Sequence, residues 1–218
     1  MRPFAAVLFD CDGTLVDSEP ICNRVISELL AQEGVHMSAT QCMHTFMGHN
    51  IAYVVRWTKE RHGLDLPADF ADRVRPLVRH YCSQSLKETP GAKRLLESLQ
   101  LPKAVVSNST PEYLRFALGL TNLLEHLEPH VFSSHMVANP KPAPDVYLHA
   151  AASMRLAPED CLVVEDTVSG VTAASKAGMR VAALAAGEHA TDEYRLKLRE
   201  SGAAWLMRSI EEVTKIVD

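Results

Sequence analysis

The sequence predicts an α/β fold, a doubly wound parallel sheet with an α-helical segment inserted after its first strand. Three observations carry this. Short apolar runs of β-type residues recur at 5–9, 103–106, 161–164 and 180–184, with a weaker one at 204–207. Segments with helical spacing of apolar residues lie between the later runs. Strands that alternate with helices imply parallel pairing, because each crossover helix packs back on a sheet face. Residues 16–88 break the rhythm and contain no strand-like run.

Residues 5–9 read as a buried strand that stops abruptly at Asp10-Cys11-Asp12-Gly13-Thr14. The interrupting segment then reads as helices over 20–32, 50–62 and 67–86, punctuated by Gly34, Gly48 and Gly63. Thr89-Pro90-Gly91 marks the return, so the core is assigned to 1–15 and 89–218 and the helical insert to 16–88. Residues 92–99 place Leu95, Leu96 and Leu99 on one helical face. The 103–106 run leads into Ser107-Asn108-Ser109-Thr110, and a helix over 111–118 opens with Pro111 after a capping hydroxyl. A helix over 143–154 precedes the 161–164 run, which leads into Glu165-Asp166-Thr167. The last helix assigned, 168–177, ends at Gly178. No internal repeat or low-complexity tract is present.

Composition narrows the function class. A chain of 218 residues, 47% hydrophobic and 22% charged, suits one domain or one domain with an insert. A net charge of -5 argues against nucleic acid or a membrane surface as partner, because both favour basic faces. Five widely spaced cysteines without a C-x-x-C pair argue against a disulfide framework or zinc site and for reduced thiols in the cytoplasm. The apolar stretch 4–9 is cut by Asp10 too early for a signal peptide, and no apolar run is long enough to span a bilayer.

The chemistry-bearing residues follow the strand ends. Asp10 and Asp12 are two apart, so on extended backbone they point the same way. Such a pair can share a magnesium ion, or one can attack while the other moves a proton. Gly13 lets the backbone turn and approach an anion. The same Asp and Thr residues also serve as ordinary turn and helix caps. Glu165 and Asp166 offer hard oxygen ligands, or a cap for the next helix. Lys141, set between Pro140 and Pro142, is presented rigidly and suits a phosphate oxygen or a carboxylate cluster, though a solvated lysine would look the same. Ser107 and Asn108 can hold a phosphate oxygen or cap a helix. A doubly wound sheet brings all four groups to one edge.

That ordered set resembles the haloacid dehalogenase-like superfamily. The matching pieces are Asp10-x-Asp12-Gly13-Thr14, Ser107-Asn108, Lys141-Pro142 and Glu165-Asp166, with Leu15-Val16-Asp17-Ser18-Glu19 and the run from Gly170 to Met179 in support. The helical insert looks like the cap of the β-phosphoglucomutase-like phosphatases. Cys11 and Cys22 look most like a branch acting on sugar phosphates such as 6-phosphogluconate. The resemblance implies a phosphatase for a small phosphorylated metabolite. Asp10 would form an aspartyl-phosphate, and Asp12 would act as acid and then base. Magnesium, or manganese, would be held by Asp10, Asp166, the main-chain oxygen of Asp12, and Glu165 directly or through water. Ser107 and Lys141 would hold the phosphoryl group, with Asn108 beside them and Gly13 and Thr14 in the substrate loop.

Departures sort the branches. Dehalogenases and phosphonatases lack the second aspartate, present here as Asp12. β-Phosphoglucomutases carry a histidine where this chain has Cys22, and an arginine where it has Ile51. Both absences argue against a hexose-phosphate mutase and leave simple hydrolysis as the default; the mutase and a catalytically retired phosphate-binding module are the alternatives. The stretch Thr45-Phe46-Met47-Gly48-His49-Asn50 looks like the family's specificity loop, with Gly48, His49 and Asn50 as substrate contacts and Met47, Tyr53 and Trp57 as pocket lining or cap core. A monomer or weak homodimer is expected.

Overall fold

A parallel strand covered on both faces needs side chains that are apolar throughout, and β1 (Ala6–Phe9), AVLF, is buried at every position. The computed structural model describes residues 4–46, 50–186 and 190–218. Its sheet continues with β2 (Lys103–Ser107), β3 (Val131–Ser133), β4 (Cys161–Glu165), β5 (Arg180–Leu184) and β6 (Trp205–Met207), all paired in parallel. The order is β3-β2-β1-β4-β5-β6, so the winding reverses at β1. In open α/β sheets ligands gather at the carboxyl ends beside such a reversal. The register puts Phe9 opposite both Val105 and Val164, which sets Asp10 beside the ends of β2 and β4.

The chain forms two compact units, Met1–Asp17 with Lys87–Asp218, and Ser18–Leu86. In the first, one face of the sheet packs Ala6, Leu8, Val106, Val163 and Val181 against Val146, Tyr147 and Ala150 of α7 (Asp145–Ser153) and Val171 and Ala174 of α8 (Val168–Lys176). Their neighbours Val7, Phe9, Val105, Leu162 and Val164 are equally buried on the other face. The remaining helices of this unit are α5 (Ala92–Ser98), α6 (Pro111–Leu120), α9 (Asp192–Glu200) and α10 (Thr214–Val217). Hydroxyl caps start three of its helices: Thr110 accepts from Tyr113 N, Thr167 from Gly170 N and Thr191 from Tyr194 N. Where the insert leaves and returns, Asp17 N donates to Lys87 O and Thr89 N to Leu15 O, at 3.0 and 2.9 Å.

The second unit is helical: α1 (Glu19–Gln32), α2 (Ala39–Phe46), α3 (Ile51–His62) and α4 (Phe70–Ser85). Helix α4 buries Phe70, Val74, Val78 and Cys82 along one stripe, and Pro76 within it faces solvent. Arg73 and Tyr81 of α4 reach Glu33 and Glu28 at 2.8 and 2.9 Å. Phe46 meets Trp57 edge to face at 5.1 Å, and Tyr53 at 6.4 Å. Those rings therefore pack on one another within the unit.

Four elements were not expected from sequence, one of them the four-residue α10. β3 has three residues, too few for a run to stand out. Helix α9, DEYRLKLRE, buries only Leu198, so its helical period has almost no apolar signal. Helix α2 carries Thr45 and Phe46, which end a helix rather than open a loop. No helix among the described residues is long and apolar enough to cross a membrane.

Candidate active site

The ends of β1, β2 and β4 each deliver one side chain of the site. Asp10 follows β1, Ser107 is the last residue of β2 and Glu165 the last of β4. Lys141 arrives from the loop before α7 and is buried among them. Its ammonium donates to Asp10 Oδ1 at 2.6 Å, Glu165 Oε1 at 2.8 Å and Val106 O at 2.8 Å. That uses all three of its protons. The nitrogen also lies 4.7 Å from the centre of the Tyr147 ring, whose hydroxyl is 3.4 Å from Glu165 Oε1.

Two buried carboxylates share this one cation, and the charges respond. Burial pushes the Asp10 carboxyl up to about 8; Lys141 pulls it down and Glu165 raises it further. Burial pulls the Lys141 ammonium down, but Asp10 and Glu165 outweigh this and hold it well above its ordinary range. Burial, then Asp12 and Asp10, push the Cys11 thiol far up, so Cys11 is an inert neighbour and not a nucleophile.

Glu165 is fully engaged. Its Oε2 accepts from Asp166 N at 2.9 Å, Thr167 N at 2.8 Å and Thr167 Oγ1 at 2.9 Å. Gly170 makes room for it: a Cβ there would lie 1.5 Å from Glu165 Oε1. Asp166 is set by its neighbours too. Thr14 Oγ1 donates to its Oδ1 at 3.0 Å, and Tyr194 Oη to its carbonyl at 2.9 Å. Gly13 has φ +79°, and a Cβ there would meet Asp166 Oδ2 at 2.2 Å.

Asp12 is set by two hydroxyls. Ser109 Oγ donates to its Oδ2 at 2.8 Å and Tyr113 Oη to its Oδ1 at 3.1 Å. Asn108 is exposed, and its side chain bonds the main chain of Lys141 twice, at 3.0 and 3.3 Å. Its role in the structure is thus to fix the Lys141 loop. Ser107 Oγ accepts from Ser109 N at 3.1 Å, which leaves its own hydrogen to donate.

The acidic oxygens of Asp10, Glu165 and Asp166 lie within 4.8 Å of one another. Every one of these donors is a hard carboxylate oxygen, so the residues fit magnesium or a similar divalent cation.

The model of the haloacid dehalogenase-like hydrolase family matches residues 4–178. The chain belongs to that family. Among its relatives, 6-phosphogluconate phosphatase of Escherichia coli (strain K12) is 32% identical over 190 residues, covering 87% of this chain and 86% of that protein. Phosphorylated carbohydrates phosphatase of Thermotoga maritima is 31% identical over 188 residues, covering 80% and 82%. Two crystal structures share the architecture. A haloacid dehalogenase-like protein from Agrobacterium tumefaciens superposes with TM-score 0.91 at 30% identity, covering 98% of this chain and 97% of that one. A hydrolase of the family from Deinococcus radiodurans, with bound phosphate and sodium, gives 0.85 at 31%, covering 100% and 96%.

In this haloacid dehalogenase-like hydrolase the core positions Asp10, Asp12, Gly13, Thr14, Ser107, Asn108, Lys141, Glu165 and Asp166 fall around one strand edge. Gly48 and His49, and Met47 beside them, lie outside the described residues. Asn50 is exposed and caps α3, accepting from Tyr53 N at 3.0 Å. Sequence reasoning gave no site role to Ser109, Tyr113, Tyr147, Gly170 or Tyr194. Ser109 stood inside the quoted Ser107–Thr110 stretch, but spacing says nothing of which hydroxyl turns toward Asp12. The three tyrosines come from different helices, and only folding brings them to the carboxylates.

Two outcomes are expected. Gly170→Ala forces Glu165 off its partners and lowers unfolding stability by about 1–3 kcal/mol in urea titration. Gly119→Ala, where an added methyl meets nothing, shows no such loss. In EDTA, wild-type stability owed to a protonated Asp10 is full below the unfolded carboxyl value near 3.8 and is lost as pH rises through about 8. Asp10→Asn lacks that charge, so its melting temperature should exceed wild type at pH 8.5, the gap closing toward pH 5.

Proposed function

We propose that this chain hydrolyses the phosphate monoester of a small sugar or sugar acid, with magnesium as cofactor and an aspartyl-phosphate intermediate on Asp10. Its enzyme class is phosphoric monoester hydrolase, in keeping with its family and the phosphatases among its relatives. The relatives that act on 6-phosphogluconate and phosphorylated carbohydrates support a sugar-type substrate. The observation that carries the reading is the Asp10 carboxylate, held by the Lys141 ammonium at 2.6 Å with Asp12 two residues on.

In this reading Asp10 attacks phosphorus, and the lysine beside it offsets charge on the phosphoryl oxygens. Contact of Lys141 with a phosphoryl oxygen exchanges one of its three present bonds. The Ser107 hydroxyl donates to a second oxygen. Asp12 gives a proton to the leaving oxygen, then takes one from the water that opens the intermediate. Asp10, Asp166 and the carbonyl of Asp12 would hold the cation, which supplies positive charge against the phosphoryl group and the clustered carboxylates. Glu165, with both oxygens in use, supports Lys141 and Asp166 from behind. Gly13 gives the substrate loop its turn. The helical unit, 16–88 in the sequence reading, is assigned the part of the cap that selects the substrate.

The test is phosphate release from a panel of 6-phosphogluconate, hexose phosphates, hexitol phosphates, phosphoglycolate and nucleotides. Wild type should release phosphate with magnesium and not in EDTA, and Asp10→Asn should lower kcat by at least about 10³-fold. Equal release by wild type and variant would refute Asp10 as nucleophile. Bisphosphate-dependent isomerisation without net release would favour a mutase instead. A second outcome concerns the cation: Thr14→Val removes the hydroxyl on Asp166, so the magnesium concentration for half-maximal rate should rise about 10-fold or more. The rate at saturating magnesium should change much less.

A further inference from the structure

We propose that Tyr113, with Ser109, is a positioning residue that holds the Asp12 carboxyl in the orientation needed for proton transfer to the leaving group. The proposal rests on the phosphatase reading above and concerns the same site. Each oxygen of Asp12 receives one hydroxyl, Tyr113 Oη on Oδ1 at 3.1 Å and Ser109 Oγ on Oδ2 at 2.8 Å. Two hydrogen bonds on opposite oxygens fix the plane of a carboxyl, which one bond does not.

Both donors are themselves anchored. Tyr113 stands in the first turn of α6, where Thr110 Oγ1 accepts from its backbone N–H at 3.2 Å. The next residue, Leu114, is fully buried and pins that turn to the core. Ser109 is held through its carbonyl by Ser133 Oγ at 2.7 Å, and Asn108 through its carbonyl by Ser134 Oγ at 3.2 Å. The clamp is thus built on β3 and α6, and rigid elements position a group more closely than a loop can.

When Asp10 attacks, the bond from phosphorus to the leaving oxygen breaks, and that oxygen takes the proton from Asp12. Asp12 is left as a carboxylate, which the two hydroxyls solvate in place of water. In the second step water loses a proton to Asp12 as its oxygen bonds phosphorus and the aspartyl bond breaks. The donors remove no atom from the substrate; they set where the proton is.

A poor leaving group needs that proton, whereas p-nitrophenolate leaves without it. The test is kcat/KM, which reports on formation of the intermediate, for 6-phosphogluconate or the alkyl phosphate turned over fastest, and for p-nitrophenyl phosphate. Tyr113→Phe should lower the alkyl value about 10-fold and the aryl value less than about 2-fold. Ser109→Ala should shift the ratio the same way, and carries the test if Tyr113→Phe does not fold. Equal losses on both substrates, or no loss on either, would overturn the proposal while leaving the phosphatase reading intact. Absence of magnesium-dependent release by wild type from any phosphate ester would overturn both.

Discussion

A single buried ammonium governs the centre of this molecule. Lys141 bonds Asp10, Glu165 and a carbonyl of β2, and so ties three separate chain segments at the carboxyl edge of the sheet. Carboxylates seldom lie side by side in a protein interior, because burial disfavours their charge and each repels the other. One cation between two acids lessens that cost without removing it. The high Asp10 value records what is left. The clustered carboxylate oxygens suit a divalent cation, and the Lys141 ammonium among them suits an anionic phosphoryl group.

The surrounding structure is arranged so that this cluster does not collapse on itself. Glu165 Oε2 is fixed by two backbone N–H groups and the Thr167 hydroxyl just before α8. A helix N-terminus favours an acceptor there, since its first N–H groups have no partner within the helix. Gly170 and Gly13 give way where a side chain would strike Glu165 or Asp166. Tyrosines from three helices touch Glu165, Asp166 and Asp12 with a hydroxyl each. The carboxylates thus differ in surroundings although they lie close together, and that difference is what allows them different chemical parts.

Legibility followed local signal. The strand ends at Asp10, Ser107 and Glu165 could be read because a continuous apolar run stopped at a polar loop. The helix starts at Pro111 and Val168 could be read because a hydroxyl preceded them. β3 and α9 could not: three residues make no pattern, and a helix that buries one leucine has no apolar face. Thr45 and Phe46 were placed in a loop although α2 extends through them, because a helix of eight residues that buries only Cys42 and Phe46 gives little apolar period.

The sequence by itself determined the alternation of strand and helix, and hence a parallel sheet whose carboxyl ends hold the polar residues. It also determined which residue types stand there, because chemistry with phosphate and a hard cation needs acids, a lysine and hydroxyls. Only the tertiary structure decided how those groups pair. Strand order placed β1 between β2 and β4, which set Asp10 near Lys141 and Glu165 across more than a hundred residues of chain. It also turned Tyr113 and Ser109 onto Asp12, and Thr14 and Tyr194 onto Asp166. Such contacts are set by packing between distant segments, and hydrogen-bond partners at that range leave no period or spacing in the chain.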